Sequence, residues 1–226
     1  MLQERIRGAE IEPSLYAADF ARLGAQIGEL MDAGARLFHY DIGDGRFVEP
    51  ITHGPIVLES IAPLIEERGG TIDCHLMTVE PEKHFAQVAN AGGHSVTFHV
   101  EATRDPAGAV ALARGLGLGV GLAFNPETSV ENALDAADGV DLVLCMCIHP
   151  GYSGQAFMPE ALERIAALRA ALPGQVRVQV DGGIKTDTLF AVRAAGADLI
   201  VAGTAIFGAA DIAAAYRRLV VSPLVV

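Results

Sequence analysis

LFHYDIGDG, residues 37–45, decides how the rest of the chain is read. A mostly apolar, β-favouring run meets Gly-Asp-Gly, the composition of a tight turn, so 37–42 reads as a strand that stops abruptly. Side chains alternate along a strand, which places His39 and Asp41 on the same side of it. Two other stretches share this form. DCHLM at 73–77 carries His75 near a strand end, and VQVDGG at 178–183 carries Asp181 just before paired glycines.

Outward from these stretches, β-rich segments alternate with helix-period segments in eight pairs. The spacing predicts strands at 11–15, 37–42, 71–77, 95–100, 118–124, 142–148, 176–181 and 199–202. Between them it predicts helices near 19–33, 55–67, 81–91, 106–115, 129–136, 159–172, 186–195 and 211–220, several opening with Pro or a Ser/Thr/Asp cap. Ala-Gly-Ala or Ala-Gly-Gly at 33–35, 91–93 and 195–197 reads as a repeated stop between helix and strand. Regular alternation of this kind means parallel strands joined by crossover helices, and eight pairs fit a closed (β/α)₈ TIM barrel. In such barrels chemistry sits at the C-terminal strand ends, where His39, Asp41, His75 and Asp181 all fall. The same count turns Met77, Met146 and Gln179 inward and turns Cys74, Cys145 and Cys147 outward, as small buried hydrophobes.

Composition sets the boundaries. The 226 residues are 51% apolar and contain no linker-like or low-complexity tract, so one domain with a large core is expected. A formal net charge of -12 argues against nucleic acid or an anionic membrane as partner. The 3 cysteines lack the spacing of a disulfide framework, MLQERIRGAE is charged where a leader would be apolar, and no apolar run reaches membrane length. A cytoplasmic protein is the expectation.

Two imidazoles and two carboxylates, His39, Asp41, His75 and Asp181, form a mixed nitrogen and oxygen set suited to one divalent metal ion. The residue types do not choose among Zn²⁺, Fe²⁺, Mn²⁺ and Co²⁺. Asp41 and Asp181, placed on opposite faces of a substrate carbon, could take and return a proton, as epimerisation requires. Taken singly, each ligand reads as a core histidine or an Asp-Gly turn; the matched strand ends carry the metal reading. Glycine loops follow strands six, seven and eight: HPGYSGQAF at 149–157, DGGI at 181–184 and AGTAIFG at 202–208. Backbone N–H groups there could hold a phosphate, with Gly154, Gly183, Gly203 and Thr204 as candidates and Gly151, Ser153 and Gly182 in the same loops. Local donors of this kind let an acidic protein bind a dianion.

In motif order and over nearly its whole length the chain resembles the ribulose-phosphate 3-epimerase family. The matching stretches are PSLYAADFARL, HYDIGDGRFV, DCHLM, HVEA at 99–102, NPET at 125–128, MCIHPGYSGQAF, VDGGI and VAGTAIFG. The resemblance implies a barrel of the ribulose-phosphate-binding type. Its metal would be held by His39, Asp41, His75 and Asp181, with Asp41 and Asp181 as the acid/base pair. Ser14 and His75 would face the substrate, Met77 and Met146 would form an apolar wall, and 149–157 would close over the site. The implied activity interconverts D-ribulose 5-phosphate and D-xylulose 5-phosphate through a metal-stabilised ene-diolate, in a homo-oligomer.

Several positions depart from the family pattern near this site: Gly43 where Met is usual, Val48-Glu49-Pro50 for Val-Pro-Asn, and Ala17, Tyr16, Cys147, His149 and Ser153. A missing thioether at Gly43 would open space unless another side chain or a larger substrate fills it. These departures favour, as an alternative, a paralogue acting on another phosphorylated ketose or a cyclitol. Glu12 shares the inward face with Ser14 and needs a partner such as an arginine or a histidine, with Arg177 the first candidate. His99 is expected inside the barrel beside Glu101, whereas His53, His84 and His94 read as loop or surface residues. A decarboxylase of the orotidine-phosphate type would need a lysine that HYDIGD lacks, and the lysines present, Lys83 and Lys185, suit no Schiff base. A non-catalytic phosphate-binding protein would have no use for two opposed carboxylates.

Overall fold

The computed structural model describes residues 10–221; residues 1–9, most of the MLQERIRGAE stretch, and 222–226 lie outside the described residues. The strands are β1 (Glu10–Pro13), β2 (Leu37–Gly43), β3 (Thr71–Met77), β4 (Ser95–His99), β5 (Gly119–Phe124), β6 (Leu142–Met146), β7 (Arg177–Asp181) and β8 (Leu199–Ala202). All pairing is parallel: β2 to β8 pair with their sequence neighbours, β1 pairs with β8, and a bridge between Ser14 and His39 closes β1 onto β2. The result is the eight-stranded barrel that the alternation predicts.

Around it run α1 (Leu23–Asp32), α2 (Pro55–Glu66), α3 (Phe85–Asn90), α4 (Pro106–Gly115), α5 (Val130–Asp135), α6 (Ala161–Ala171), α7 (Thr186–Ala194), a short α8 (Thr204–Phe207) and α9 (Ile212–Val221). Caps follow from the residues at the helix starts. Asp105 accepts from the Gly108 N–H and Ser129 from the Asn132 N–H, while Pro55 and Pro106 sit at first-turn positions where no hydrogen bond is lost. Gly34, Gly92 and Gly196 take φ of 110°, 89° and 106°, the left-handed stop expected of the Ala-Gly repeats.

Several boundaries shift, two of them next to the site. The helix predicted at 19–33 is delayed, because Asp19 accepts from the Ala21 N–H and its own N–H is held by Gln26 Oε1. Short 3₁₀ turns at Leu15–Ala17 and Phe20–Arg22 precede α1. Strand β6 ends at Met146, not at 148; beyond it the Cys147 N–H still donates to the Asp181 carbonyl at 2.7 Å.

The core has two zones. Outward-facing residues such as Phe38, Tyr40, Phe98 and Val178 pack against the helices, and Cys74, Cys145 and Cys147 lie in this layer as predicted. Each fully buried large side chain there contributes about 1.5–3 kcal/mol. Inside the barrel, Leu37, Ala123, Leu142, Leu144, Met146, Ile148 and Leu199 fill one side. The other side is polar: Glu12, His39, Asp73 and Gln179 are all buried inside. Register stacks these groups in layers, with His39 beside Asp73 and Asp41 beside His75 across β2 and β3, and Met146 beside Asp181 across β6 and β7.

Candidate active site

Asp41 is the hub of the polar side. Ser14 donates its hydroxyl to Asp41 Oδ2 at 2.8 Å, while Asp41 Oδ1 lies 3.0 Å from His75 Nδ1 and 3.2 Å from His39 Nε2. Thr52 ties the strand end to the next loop, accepting from the Gly43 N–H at 2.7 Å and donating to the Asp41 carbonyl at 2.9 Å. One ligand atom from each of His39, Asp41, His75 and Asp181 lies within 4.8 Å of the others, so three separate strands bring together the four predicted ligands.

This crowding sorts the charges. Burial and then the neighbouring Asp41 carboxylate push Asp181 up to about 7, against a smaller opposing pull from His39. Burial would raise Asp41 as well, but the two imidazoles overcome it and hold that carboxyl well below the usual range. His39 is raised well above the ordinary imidazole value; burial acts against this, and the Asp41 and Asp73 carboxylates outweigh it. The cluster therefore calls for positive charge at its centre. Both ring nitrogens of His39 are buried without an aligned hydrogen bond. Orphaned imidazole beside paired carboxylates fits a divalent ion of the borderline class.

Beneath lies a second set, Glu12, His39 and Asp73, also close enough to surround an ion. Hydrogen bonds already occupy it. Gln179 Nε2 donates to both Glu12 oxygens, at 2.9 and 3.0 Å, and to Asp73 Oδ2 at 3.1 Å. Asp73 also accepts from Ser95 and Thr97 and stands 3.5 Å from His39 Nδ1. The partner of Glu12 is thus an amide, with His39 3.9 Å away, and not Arg177, which faces Asp198 at 3.4 Å. Burial, then Asp73, lifts Glu12 to about 8, so a neutral carboxyl suffices there. Asp73 was missed in the sequence although it shares His75's face by the same period-two count.

Above the cluster opens a cleft. Ser14, Met77 and Met146 line it, as do Gly151, Ser153 and Gly154 from the loop after β6 and Gly182, Gly183, Gly203 and Thr204 from the loops after β7 and β8. His75 is wholly buried and is not among the lining residues; it reaches the cleft only through Asp41. Glycine is required at Gly182 and Gly183, where φ is 112° and 67° and a Cβ would meet Ile148 Cγ1 at 2.3 Å or the Phe157 backbone N at 2.4 Å.

The departures separate by position. Gly43 opens no gap: a Cβ there would stand 3.0 Å from both the Pro50 carbonyl and Val48 Cγ2. His149 turns outward and pairs with Glu127 at 2.9 Å, and Cys147 lies in the outer layer. Tyr16 and Ser153 do line the cleft. His53, read as a loop or surface residue, does lie in a loop but is largely enclosed there, its ring centroid 4.2 Å from Tyr40 and 4.8 Å from Phe20.

A parallel barrel with two carboxylates of split acidity at its C-terminal rim, beside a glycine-lined cleft, has the architecture of an enzyme that moves protons on a small phosphorylated substrate. The ribulose-phosphate 3 epimerase family model matches residues 10–207. The chain belongs to that family and is a carbohydrate epimerase. It is 41% identical to the ribulose-phosphate 3-epimerase of Schizosaccharomyces pombe, covering 89% of this chain and 88% of that one. It is 39% identical to the enzyme of that name from Mycobacterium bovis, covering 94% and 92%. Among solved structures, KGPDC from Streptococcus mutans in complex with D-R5P superposes with a TM-score of 0.71 at 16% identity, covering 96% and 97% of the two chains. Orotidine 5'-phosphate decarboxylase from Pyrococcus horikoshii gives 0.68 at 18%, covering 94% and 98%. At those identities the likeness concerns the fold alone. No helix among the described residues is long and apolar enough to cross a membrane.

Proposed function

We propose that this single-barrel chain is a metal-dependent 3-epimerase of a ketose phosphate, and that its substrate pair is D-ribulose 5-phosphate and D-xylulose 5-phosphate. The observation that carries the reading is geometric: one ligand atom from each of His39, Asp41, His75 and Asp181 lies within 4.8 Å of the others at the barrel rim, and the two carboxylates among them line the cleft. Asp41 takes the proton from C3 on one face of the substrate, and Asp181 delivers one to the other face; the reverse reaction exchanges their roles. Ser14 orients Asp41 through its 2.8 Å hydrogen bond. Met77 and Met146 give the reacting carbon an apolar wall that limits water. Backbone around Gly183, Gly203 and the start of α8 receives the phosphate, with Gly151, Ser153 and Gly154 closing above.

His39, Asp41, His75 and Asp181 would hold one divalent ion, zinc or another of the same class, which supplies Lewis-acid neutralisation of negative charge on substrate oxygen. The family relation and the cleft together support a sugar phosphate. A different ketose phosphate or a cyclitol phosphate retains one specific support, Tyr16 and Ser153 in the cleft wall.

The test is proton NMR in D₂O with ribulose 5-phosphate and metal-reconstituted protein. Rapid exchange of the C3 hydrogen is expected, and Asp41→Asn and Asp181→Asn each reduce it by about 100- to 10,000-fold. Unchanged exchange in either variant would remove that residue from the proposed pair.

A further inference from the structure

His75 has a second ring nitrogen, and its contacts lead away from the cleft. His75 Nε2 lies 2.8 Å from His99 Nε2, with both rings fully buried. On the far side of the second ring, His99 Nδ1 stands 3.3 Å from Glu101 Oε2, off the line of an ideal hydrogen bond. Glu101 is itself anchored: its Oε1 accepts from the Asn125 backbone N–H at 2.8 Å and from the Thr128 hydroxyl. Phe47 covers the His99 ring, 4.8 Å between centroids.

The hydrogens can be counted. An imidazole that ligates a metal ion does so as the neutral ring, and two fully buried rings in contact at 2.8 Å count as neutral. Two neutral imidazoles carry two hydrogens on four nitrogens, and the 2.8 Å contact holds one of them. Two arrangements remain. In the first, His75 Nε2–H donates to His99, whose Nδ1–H points toward Glu101, and His75 Nδ1 is bare. In the second, His75 Nδ1–H points at Asp41 and the His99 lone pair faces the negative charge of Glu101. Only the first offers a cation a lone pair at Nδ1.

We propose that Glu101, acting through His99, is a positioning residue that holds His75 in the tautomer whose bare Nδ1 can ligate a metal ion. The proposal rests on the metal-dependent reading above. Asp41, 3.0 Å from Nδ1, favours the opposite tautomer in the metal-free chain. A cation between the two removes that preference, and Glu101 then sets the direction of both rings.

Glu101→Gln tests the relay because the Asn125 backbone N–H is a fixed donor. It keeps the amide oxygen where Oε1 stood, so the amide NH₂ must face His99 Nδ1 and a donor replaces an acceptor. Zinc affinity, measured by competition with a chromophoric chelator, is expected to fall about 10- to 100-fold, and ¹⁵N shifts of the unaltered zinc-loaded chain are expected to place the His99 hydrogen on Nδ1. In a His99→Gln background the relay is cut, so adding Glu101→Gln changes zinc affinity by less than about twofold. Equal loss in both backgrounds, or unchanged affinity, overturns the proposal. Should Glu101→Gln fail to fold, ¹⁵N spectra of the unaltered zinc-loaded chain decide: a hydrogen on His99 Nε2 instead of Nδ1 overturns it. Failure of C3 exchange alone would strike the epimerase reading and leave the tautomer result standing, whereas no zinc binding by the unaltered chain would strike the metal reading itself.

Discussion

His53 lies in a loop by sequence and in an aromatic enclosure by structure, 4.2 Å from Tyr40 and 4.8 Å from Phe20 between ring centroids. Burial holds it down to about 4, against a weaker upward pull from Asp41, and its Nε2 has no hydrogen-bond partner. The ordinary value is 6.5, so between pH 6.5 and 4 the unfolded chain binds more protons than the folded one. Stability is therefore flat above that window and falls as pH drops through it, by about 2 kcal/mol after allowing for partial solvent contact. His53→Phe removes the titration and keeps the packing. Urea unfolding at neutral pH and at pH 4 is expected to show a variant advantage that grows toward pH 4; a difference between the two proteins that stays constant across that range would show the account to be wrong. What was legible at this scale was residue type and parity, which placed His39, Asp41, His75 and Asp181 together. Partner choice was not: Glu12 finds Gln179 across the barrel, 167 positions away, and no local pattern announces such a contact.

The segment from Gly43 to Thr52 shows why a single missing side chain misleads. A missing thioether reads as a hole, yet the loop folds back so that Val48, the Pro50 carbonyl and Thr52 Cγ2 lie 3.0–3.2 Å from where the Cβ would be. Asp44 pins this fold, accepting from the N–H groups of Arg46, Phe47 and Val79, each at 2.8 Å. The loop after β6 rests on the same surface: a Cβ at Gly151 would meet Val48 Cβ at 3.2 Å and Pro50 Cδ at 3.3 Å. Gly43→Met, although it restores the residue usual in the family, is thus expected to unseat 48–52 and to destabilise the chain by about 1–3 kcal/mol, as overpacking does. Gly43→Met with Val48→Ala should recover part of that loss in a thermal melt; a fully stable single variant would show the loop to be yielding. Strand identity and order were legible here because period-two runs and glycine stops are local. Loop conformation was not, since 44–52 is shaped by contacts with two other loops.

At the scale of the molecule, the site brings the end of β7 to the ends of β2 and β3, with which β7 does not pair in the sheet. His39 and Asp41 come from β2, His75 from β3 and Asp181 from β7, while Ser14 follows β1. Without a cation, the Asp41 and Asp73 carboxylates favour a protonated His39 against the effect of burial, yet neither ring nitrogen finds an aligned hydrogen bond. The alternation of elements revealed the barrel, and matched strand ends revealed that one ion could bridge it. The strength of that bridge is a folding quantity, because the unfolded chain holds no such set of ligands. An ion present at about 100 times its dissociation constant adds about 2.7 kcal/mol of stability. For a barrel of this size that corresponds to about 5–10 °C. Scanning calorimetry before and after exhaustive chelation should show a fall of that order, restored by zinc and absent in Asp181→Asn, whose amide no longer supplies an anionic ligand. A melting temperature indifferent to chelation in the unaltered chain would mean that His39 and its carboxylates neutralise one another by protons alone, and that no ion ties β2, β3 and β7 together.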